Sequence, residues 1–283
     1  MISLKIHAPS PLLSQYVKMH LFAEVDNPDL HESLVTPRGF HALVTPYRKQ
    51  APGNFVAIDF SSGLRPPNPQ DDGMYLIGHY TKSFQVHSKG KFSILYTIFQ
   101  PHGAAAFFGN GQQHFTNACV PLTDLGMDAT VSQVMEDLSL ARDYSQCVQI
   151  VETMLAGLLR KRINHPPNRF GQVAYWIMGR GGNVPVQKIA DECGMSKRTL
   201  ERHFTEIIGV SPKQYTKIVR FRSVLQMLQT QPLPPDWHDL LHQMHYYDQS
   251  HFIHDFHDFT GKSPSAFFQM ERDLDDAFVQ VVR

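Results

Sequence analysis

The chain has 283 residues, of which 42% are hydrophobic and 18% charged, and its formal net charge is zero. This length accommodates two domains of ordinary size, and no apolar run approaches the roughly 20 residues that cross a bilayer. The first residues lack the basic start and apolar stretch of a signal peptide, so we expect a cytoplasmic protein with no membrane partner. A net charge of zero taken alone argues against a nucleic-acid partner.

Short strands are predicted for most of residues 1–135. The evidence is a series of apolar, β-branched or aromatic runs bounded by Gly, Pro or Asn. These runs are His41–Tyr47, Asn54–Phe60, Met74–Tyr80, Ser83–Ser88 and Lys91–Phe99. Between the last two runs, Lys89-Gly90 predicts a tight hairpin.

Several polar residues in or beside these predicted strands are candidates for lining an effector pocket. They are Arg38, His41, His79, Tyr96 and His102. The alternative, and the commoner role for such residues, is a place on the surface or at the edge of the core. The sequence does not identify an effector.

Enzymatic alternatives lack the residues that they require. A metal-dependent oxygenase on a small β-barrel needs two histidines and a carboxylate that converge on iron. No His-x-His pair with a following Glu occurs among the histidines of this region. The three cysteines, Cys119, Cys147 and Cys193, are isolated, so neither a disulfide framework, a zinc site nor alkyl-transfer chemistry follows from them. We therefore expect no enzyme, no cofactor and no metal site.

A helix is predicted over residues 144–162, where apolar residues recur at three- and four-residue steps and the last turn is basic. We expect this helix to pack on its own domain, with a dimer interface as the alternative. Pro166-Pro167-Asn168 then breaks the helical pattern. The predicted division is therefore a β-rich domain over residues 1–165 and a helical domain over residues 169–270.

The helical region contains an internal repeat. Leu200-x-x-x-Phe204…Gly209-x-Ser211-Pro212 recurs as Phe252-x-x-x-Phe256…Gly261-x-Ser263-Pro264. Each of these positions lies 52 residues after its counterpart (252 − 200 = 52). Chance agreement at this many positions is improbable, which indicates that one structural unit is present twice.

The first copy has the pattern of a helix-turn-helix motif. A short helix over residues 185–193 is followed by Gly194, where a residue can adopt positive φ without a steric penalty. Ser196 is a good N-cap for a second helix from Lys197 to about Ile208. The predicted inner face of that helix is Leu200, Phe204 and Ile207. Its outer face can enter a major groove and contact base edges.

The second copy repeats this plan with different surface residues. Asp236 is the expected N-cap of its first helix, and Asp248 caps a second helix from Gln249 to about Phe259. The expected inner face of this helix is Phe252, Phe256 and Phe259. One long helix, Pro212–Gln229, joins the copies. Its length of about 24–27 Å can hold two recognition helices roughly one duplex turn apart.

Charge is distributed unevenly between the copies. Residues 169–222 contain ten Lys or Arg against four Asp or Glu, a net charge of +6, which is typical of phosphate binding. Residues 235–268 contain five aspartates against Lys262, a net charge of −4, together with six histidines. The first motif is therefore expected to dominate the affinity for DNA.

These motifs resemble the DNA-binding domain of the AraC/XylS family of bacterial transcription regulators. The resemblance rests on Ile189-Ala190-x-x-x-Gly194-x-Ser196-x-x-x-Leu200, on Tyr247-Asp248-Gln249-Ser250-His251-Phe252 and on the two Gly-x-Ser-Pro segments. It covers about a third of the chain. In two positions the sequence departs from the family, with Leu241 and His245 where the pattern has Ala and Gly. The second motif is expected to open or tilt as a result.

The resemblance implies an α+β protein. Its N-terminal domain would be a β-rich, cupin-like barrel with a helical end, and its all-α C-terminal domain would hold two helix-turn-helix motifs joined by a long helix. The implied function is sequence-specific regulation of transcription in response to a small-molecule effector. The alternative is a ligand-free regulator controlled by a partner protein or by abundance. Double-stranded DNA is the implied partner. RNA polymerase and a second copy of the chain, in a homodimer, are further partners that the resemblance allows.

The predicted DNA contacts lie on the outer faces of the two recognition helices. They are Ser196, Lys197, Arg198, Glu201, Arg202, Thr205, Gln249, Ser250, His251 and His254, with Lys213 and Lys217 as phosphate contacts. Three further histidines, His238, His242 and His245, have the spacing of imidazoles on one helix face. We interpret them as solvated or cap-bonding histidines, because a zinc or nickel site would also need a carboxylate or cysteine nearby.

Overall fold

The N-terminal half is built on one antiparallel sheet of seven strands. The computed structural model describes residues 2–47, 55–59, 73–161, 168–230 and 249–268. The order of strands is β1-β2-β6-β3-β5-β7, with β4 also paired to β6. The strands are β1 (Ile2–His7), β2 (Val17–Val35), β3 (Ala42–Tyr47), β4 (Phe55–Asp59), β5 (Tyr75–Ile77), β6 (Phe84–Phe99) and β7 (Cys119–Pro121).

The hairpin predicted at Lys89-Gly90 is wrong, because β6 continues through these residues as one strand of 16 residues. Gly90 has φ of 90°, a conformation that glycine adopts without a steric penalty. On one side of it β6 pairs with β4, and on the other side with β3. The register with β2 also shifts opposite this point, between Asn27 and His31. Gly90 is therefore the bend of a long strand that changes partners.

Helices cover this sheet and complete its core. They are α1 (Gly103–Phe108), α2 (Asp128–Leu140) and α3 (Tyr144–Lys161), with short 3-10 helices at Gln112–Phe115 and Leu122–Leu125. Val148, Val151 and Leu155 of α3 are buried in the same cluster as Leu43 and Leu95 of the sheet. The prediction that α3 packs on its own domain is thus confirmed.

The C-terminal part is helical, and the α+β class expected for the chain is confirmed. Its helices are α4 (Asn168–Met178), α5 (Val186–Glu192), α6 (Lys197–Ile208), α7 (Pro212–Thr230), α8 (Gln249–Thr260) and α9 (Pro264–Phe268). Residues 162–167, where the domain boundary is predicted, lie outside the described residues, so the division at 165/169 stays a prediction. Residues 231–248 also lie outside them, and with them the predictions for Asp236, His238, Leu241, His242, His245 and Asp248.

Two apolar clusters hold the motifs against α7. In the first, Leu200 and Phe204 of α6 pack with Tyr215. In the second, Phe252 and Phe256 of α8 pack with Phe221. The sheet domain contributes one buried side chain to each, Ala105 to the first and Leu34 to the second. The two halves of the chain therefore share their cores.

The three cysteines are free and buried, as their isolated positions predict. Burial raises the pKa of the Cys119 thiol to about 12 and also raises the pKa of Cys193. Among the described residues, no helix combines the length and apolar composition that a membrane crossing requires.

Candidate nucleic-acid interface

Helix α6 begins and ends as its sequence predicts. Ser196 is its N-cap, and the Ser196 hydroxyl accepts a hydrogen bond from the Thr199 N–H at 3.2 Å. Gly194 precedes it at φ of 58°, a left-handed conformation that makes the sharp turn from α5. The fully buried Ala190 on α5 leaves room for α6 to cross closely. These features fix the angle at which α6 leaves the turn.

The predicted DNA-contacting side chains of α6 share one face. Leu200 and Phe204 are fully buried, so the residues between them point outward. The Arg202 guanidinium lies 3.2 Å from the His203 ring, which in turn lies 3.3 Å from a carboxylate oxygen of Glu206. The other predicted contacts are exposed or, for Thr205, half-buried: Ser196, Lys197, Arg198, Glu201, Arg202 and Thr205.

Helix α8 presents the equivalent face with a different chemistry. Its inner side chains Phe252, Phe256 and Phe259 are buried, as predicted. The four predicted contacts Gln249, Ser250, His251 and His254 are exposed. No Lys or Arg occurs in the sequence of α8, whereas α6 has three. The second face can offer amide, hydroxyl and imidazole groups to a duplex.

The two predicted phosphate contacts have different surroundings. Lys213 is exposed at the start of α7. The Lys217 ammonium donates a hydrogen bond to Asp255 Oδ1 on α8 at 2.7 Å, and the Asp255 side chain is only 2% exposed. Lys217 therefore joins α7 to α8 inside the protein.

The sheet domain is bonded to the last turn of both recognition helices. The Gly111 N–H donates to the Glu206 carbonyl of α6 at 2.9 Å, and the Thr116 hydroxyl donates to the Gly209 carbonyl at 2.5 Å. The Ser83 N–H donates to the Phe259 carbonyl of α8 at 2.7 Å. The sheet domain thus holds both helices at equivalent ends.

A buried polar cluster lies where the sheet domain meets the first motif. The rings of His41 and His79 are 4.5 Å apart, centroid to centroid, and the His79 ring lies 5.9 Å from that of Tyr215. All three side chains are fully buried. The four imidazole nitrogens and the Tyr215 hydroxyl have no hydrogen-bond partner within the part of the chain that the structure describes.

Burial controls the ionisation of this cluster. It lowers the pKa of His41 to about 3. It also lowers the pKa of His79 well below its ordinary value, together with the charges of His41 and Arg222. It raises the pKa of Tyr215. Lys18 of β2 lies close enough to Arg222 of α7 that burial and this neighbouring charge lower its pKa to about 8. Arg222, whose charge also acts on the pKa values of His79 and Tyr215, therefore brings positive charge close to the cluster.

The other predicted pocket residues lie in two places. His102 is buried against α4, where a Cβ on Gly171 would clash with its ring, and burial lowers its pKa. Arg38 lies close enough to Tyr96 to lower its pKa, although burial, the larger effect, raises that pKa. The sequence did not indicate Tyr215 as a partner of the histidines, because it lies in the other predicted domain.

Comparisons with known proteins agree with the helical pattern. Residues 189–270 match a family described as a helix-turn-helix domain, and residues 5–121 match a domain of unknown function (DUF6597). The sequence matches no curated protein.

The solved structures that the chain matches include ToxT from Vibrio cholerae, which is 10% identical over 96% of this chain and 99% of that chain, with a TM-score of 0.49. ToxT bound to an unsaturated fatty acid is 12% identical over 95% of each chain, with a TM-score of 0.46. The AraC-like transcriptional activator CuxR is 12% identical over 79% of this chain and 86% of that chain, with a TM-score of 0.24.

Proposed function

We propose that the chain is a DNA-binding transcription regulator of the AraC/XylS type, in which α6 and α8 bind duplex DNA under the control of the sheet domain. One observation carries this proposal. The sheet domain donates hydrogen bonds to the last turns of both recognition helices, at Glu206 and Gly209 of the first motif and at Phe259 of the second. A change in the sheet domain can therefore alter the position of both helices.

Base recognition rests mainly on α6. Arg198 and Arg202 are exposed on its outer face, and arginine can donate two hydrogen bonds to one guanine in the major groove. Lys197 of α6 and Lys213 of α7 are also exposed, and they supply charge for phosphate contacts. Helix α8 contributes weaker contacts through Gln249, Ser250, His251 and His254, since it lacks a basic residue.

A small-molecule effector acts, in this proposal, at the cluster of His41, His79 and Tyr215. Each buried polar group without a partner costs about 1–3 kcal/mol, so a ligand or a rearrangement that supplies partners here is favoured. The charge of Arg222, which acts on both His79 and Tyr215, favours an effector that carries an acidic group. Because the cluster touches both domains, binding there would change the contact that positions the first motif.

The DNA part of the proposal is tested by selection from randomised duplexes with the full chain, compared with Arg202→Ala. As a matched control, Arg160→Ala removes a basic side chain from α3 in the sheet domain. We expect the wild type and the control to select one motif and Arg202→Ala to lose preference at one base position. If all three proteins select the same DNA sequence, Arg202 does not take part in base recognition.

The effector part is tested by thermal unfolding of the full chain with a set of small carboxylic acids and their methyl esters. Stabilisation by an acid but not by its ester, lost in Arg222→Gln, would support the proposed site. If no acid stabilises the chain, the alternative of a ligand-free regulator controlled by a partner or by abundance is favoured. RNA polymerase and a second copy of the chain stay predicted partners.

A further inference from the structure

Three side chains on α8 form a cluster with the donor atoms of a metal site. His254, Asp255 and Asp258 each offer one ligand atom, and these atoms all lie within 4.8 Å of one another. His254 Nδ1 lies 3.4 Å from Asp258 Oδ2. The sequence predicts no metal site here, because the histidine spacing that stands out in it is that of His238, His242 and His245.

Asp255 gives independent evidence for a missing partner. The side chain is 2% exposed, and its Oδ1 accepts the hydrogen bond from Lys217. Its Oδ2 is buried and has no hydrogen-bond partner among the residues described, although His251 Nε2 lies 3.7 Å away. A buried carboxylate oxygen that accepts no hydrogen bond is costly, and a cation bound to it would offset that cost.

We propose that His254, Asp255 and Asp258 bind a divalent transition-metal ion of the zinc or nickel class. One imidazole nitrogen with two carboxylate oxygens suits these borderline ions, whereas magnesium and calcium prefer oxygen ligands alone. Metal–ligand bonds of about 2.0–2.2 Å require the ligand atoms to move closer together than the separations of up to 4.8 Å seen here. The His254 and Asp258 side chains are 73% and 52% exposed, so they are free to make that movement.

The bound ion would change the charge of the second recognition face. Helix α8 has two aspartates and no Lys or Arg, and a divalent cation adds two positive charges to it. Three protein ligands leave at least one coordination position for water or for a DNA phosphate. Metal and DNA then bind cooperatively, each raising the affinity for the other. The metal site itself does not depend on the proposed function, but this coupling rests on it.

The experiment measures zinc binding to the untagged full chain by equilibrium dialysis at pH 7.5, and then repeats it with nickel. The variants are His254→Gln and Asp258→Asn, which change exposed side chains and leave the Lys217–Asp255 pair intact. The matched control is His257→Gln, an exposed histidine of the same helix outside the cluster. We expect each test variant to bind one metal equivalent fewer, or to bind it at least about tenfold more weakly, while the control binds like the wild type.

Equal metal binding by all four proteins, or an equal loss in the control, would overturn the site. Circular dichroism establishes that each variant is folded, so a lost equivalent cannot be ascribed to unfolding. A second measurement compares DNA affinity with and without zinc. A metal site that forms without any effect on DNA would overturn the coupling and the role of α8 in DNA binding, but leave the site itself standing.

Discussion

Helices α6 and α8 occupy equivalent places in the two motifs and bury equivalent side chains. Leu200 and Phe204 of α6 correspond to Phe252 and Phe256 of α8, and all four are at most 1% exposed. Both helices also accept a hydrogen bond from the sheet domain in their last turn. Their outer faces differ, since α6 carries three basic residues and α8 carries two aspartates and three histidines.

This difference separates what the fold requires from what the interface requires. Packing against α7 demands large apolar side chains at fixed spacing, so the buried positions of both copies must be filled alike. Exposed positions are free of that demand, and their charge decides how each helix meets a polyanion. The first motif is therefore suited to bind phosphate and guanine, whereas the second needs another source of positive charge in order to bind DNA.

The largest expected effect is on the free energy of unfolding, and it tests whether the apolar clusters of the two motifs stabilise the chain equally. Phe204→Ala and Phe256→Ala each remove a fully buried ring, and each should lower the free energy of unfolding by about 3–5 kcal/mol. Leu140→Ala, at a residue that is 76% exposed, is the control and should change it little. Urea unfolding of the full chain measures all three. A much smaller loss for one phenylalanine would show that its motif is not held by its core.

A smaller effect distinguishes the two lysines of α7. Lys217→Ala leaves the buried Asp255 carboxylate without its partner and should cost about 2–3 kcal/mol of stability. Lys213→Ala changes an exposed side chain, so stability should be unaffected while DNA affinity falls for all sequences alike. Unfolding and DNA titration are measured on both variants. If Lys217→Ala is as stable as the wild type but binds DNA more weakly, Lys217 contacts phosphate as the sequence predicts.

The contrast between the outer faces predicts unequal losses of DNA affinity. Arg202→Ala should cost about 1–3 kcal/mol at one base position, because a bidentate contact with guanine is lost. Ser250→Ala on α8 should cost less than about 0.5 kcal/mol, since one neutral hydrogen bond exchanged with water contributes little. Fluorescence anisotropy with the selected duplex, without added metal, compares the variants. An equal loss of DNA affinity in Ser250→Ala and Arg202→Ala would contradict the expected difference between the two outer faces.

As the pH falls, the first motif should lose stability before the second. His41 and His79 stay neutral in the fold because burial lowers their pKa, to about 3 for His41. Below their ordinary pKa near 6.5, the unfolded chain binds protons that the folded chain does not. Stability is then present above pH 6.5 and falls with the pH, by about 1.4 kcal/mol per pH unit for each histidine.

Hydrogen exchange at pH 7 and pH 5.5 follows this loss along the chain. Amides of α6 should lose protection more than those of α8, because His41 and His79 lie against Gly209 and Tyr215 of the first motif. His41→Gln should flatten the dependence of the free energy of unfolding on pH. Equal losses in α6 and α8 would mean that the cluster stabilises the fold as a whole.

The helical half was predictable because its determinants are local. The Ser196 cap and the spacing of the buried Leu200 and Phe204 each act within one or two turns, and the repeat at 52 residues shows the same local pattern twice. The long strands β2 and β6 were harder, since Lys89-Gly90 has the composition of a hairpin turn and only pairing with β3 and β4 makes it a bend.

Much of the candidate site could not be predicted from the sequence, because it depends on contacts between residues that are far apart in the chain. His41 and His79 were candidates for a pocket, but Tyr215 joins them only through the packing of α7 on the sheet domain. Lys217 was predicted as a phosphate contact from its charge, and its pair with Asp255 appears only when α7 and α8 are placed together. The DNA contacts themselves stay predictions.

The burial of all three thiols has a practical consequence for spectroscopy. Cys147 is fully buried, Cys193 is 5% exposed, and the thiolate of Cys119 is suppressed by its raised pKa. Because the thiolate is the reactive form, the natural chain should react with maleimide dyes as slowly as a cysteine-free protein. One cysteine introduced at Gln249 and another at Leu140 would then take dyes selectively. Energy transfer between those dyes would report the distance from recognition helix α8 to the sheet domain while effector, metal or duplex is added.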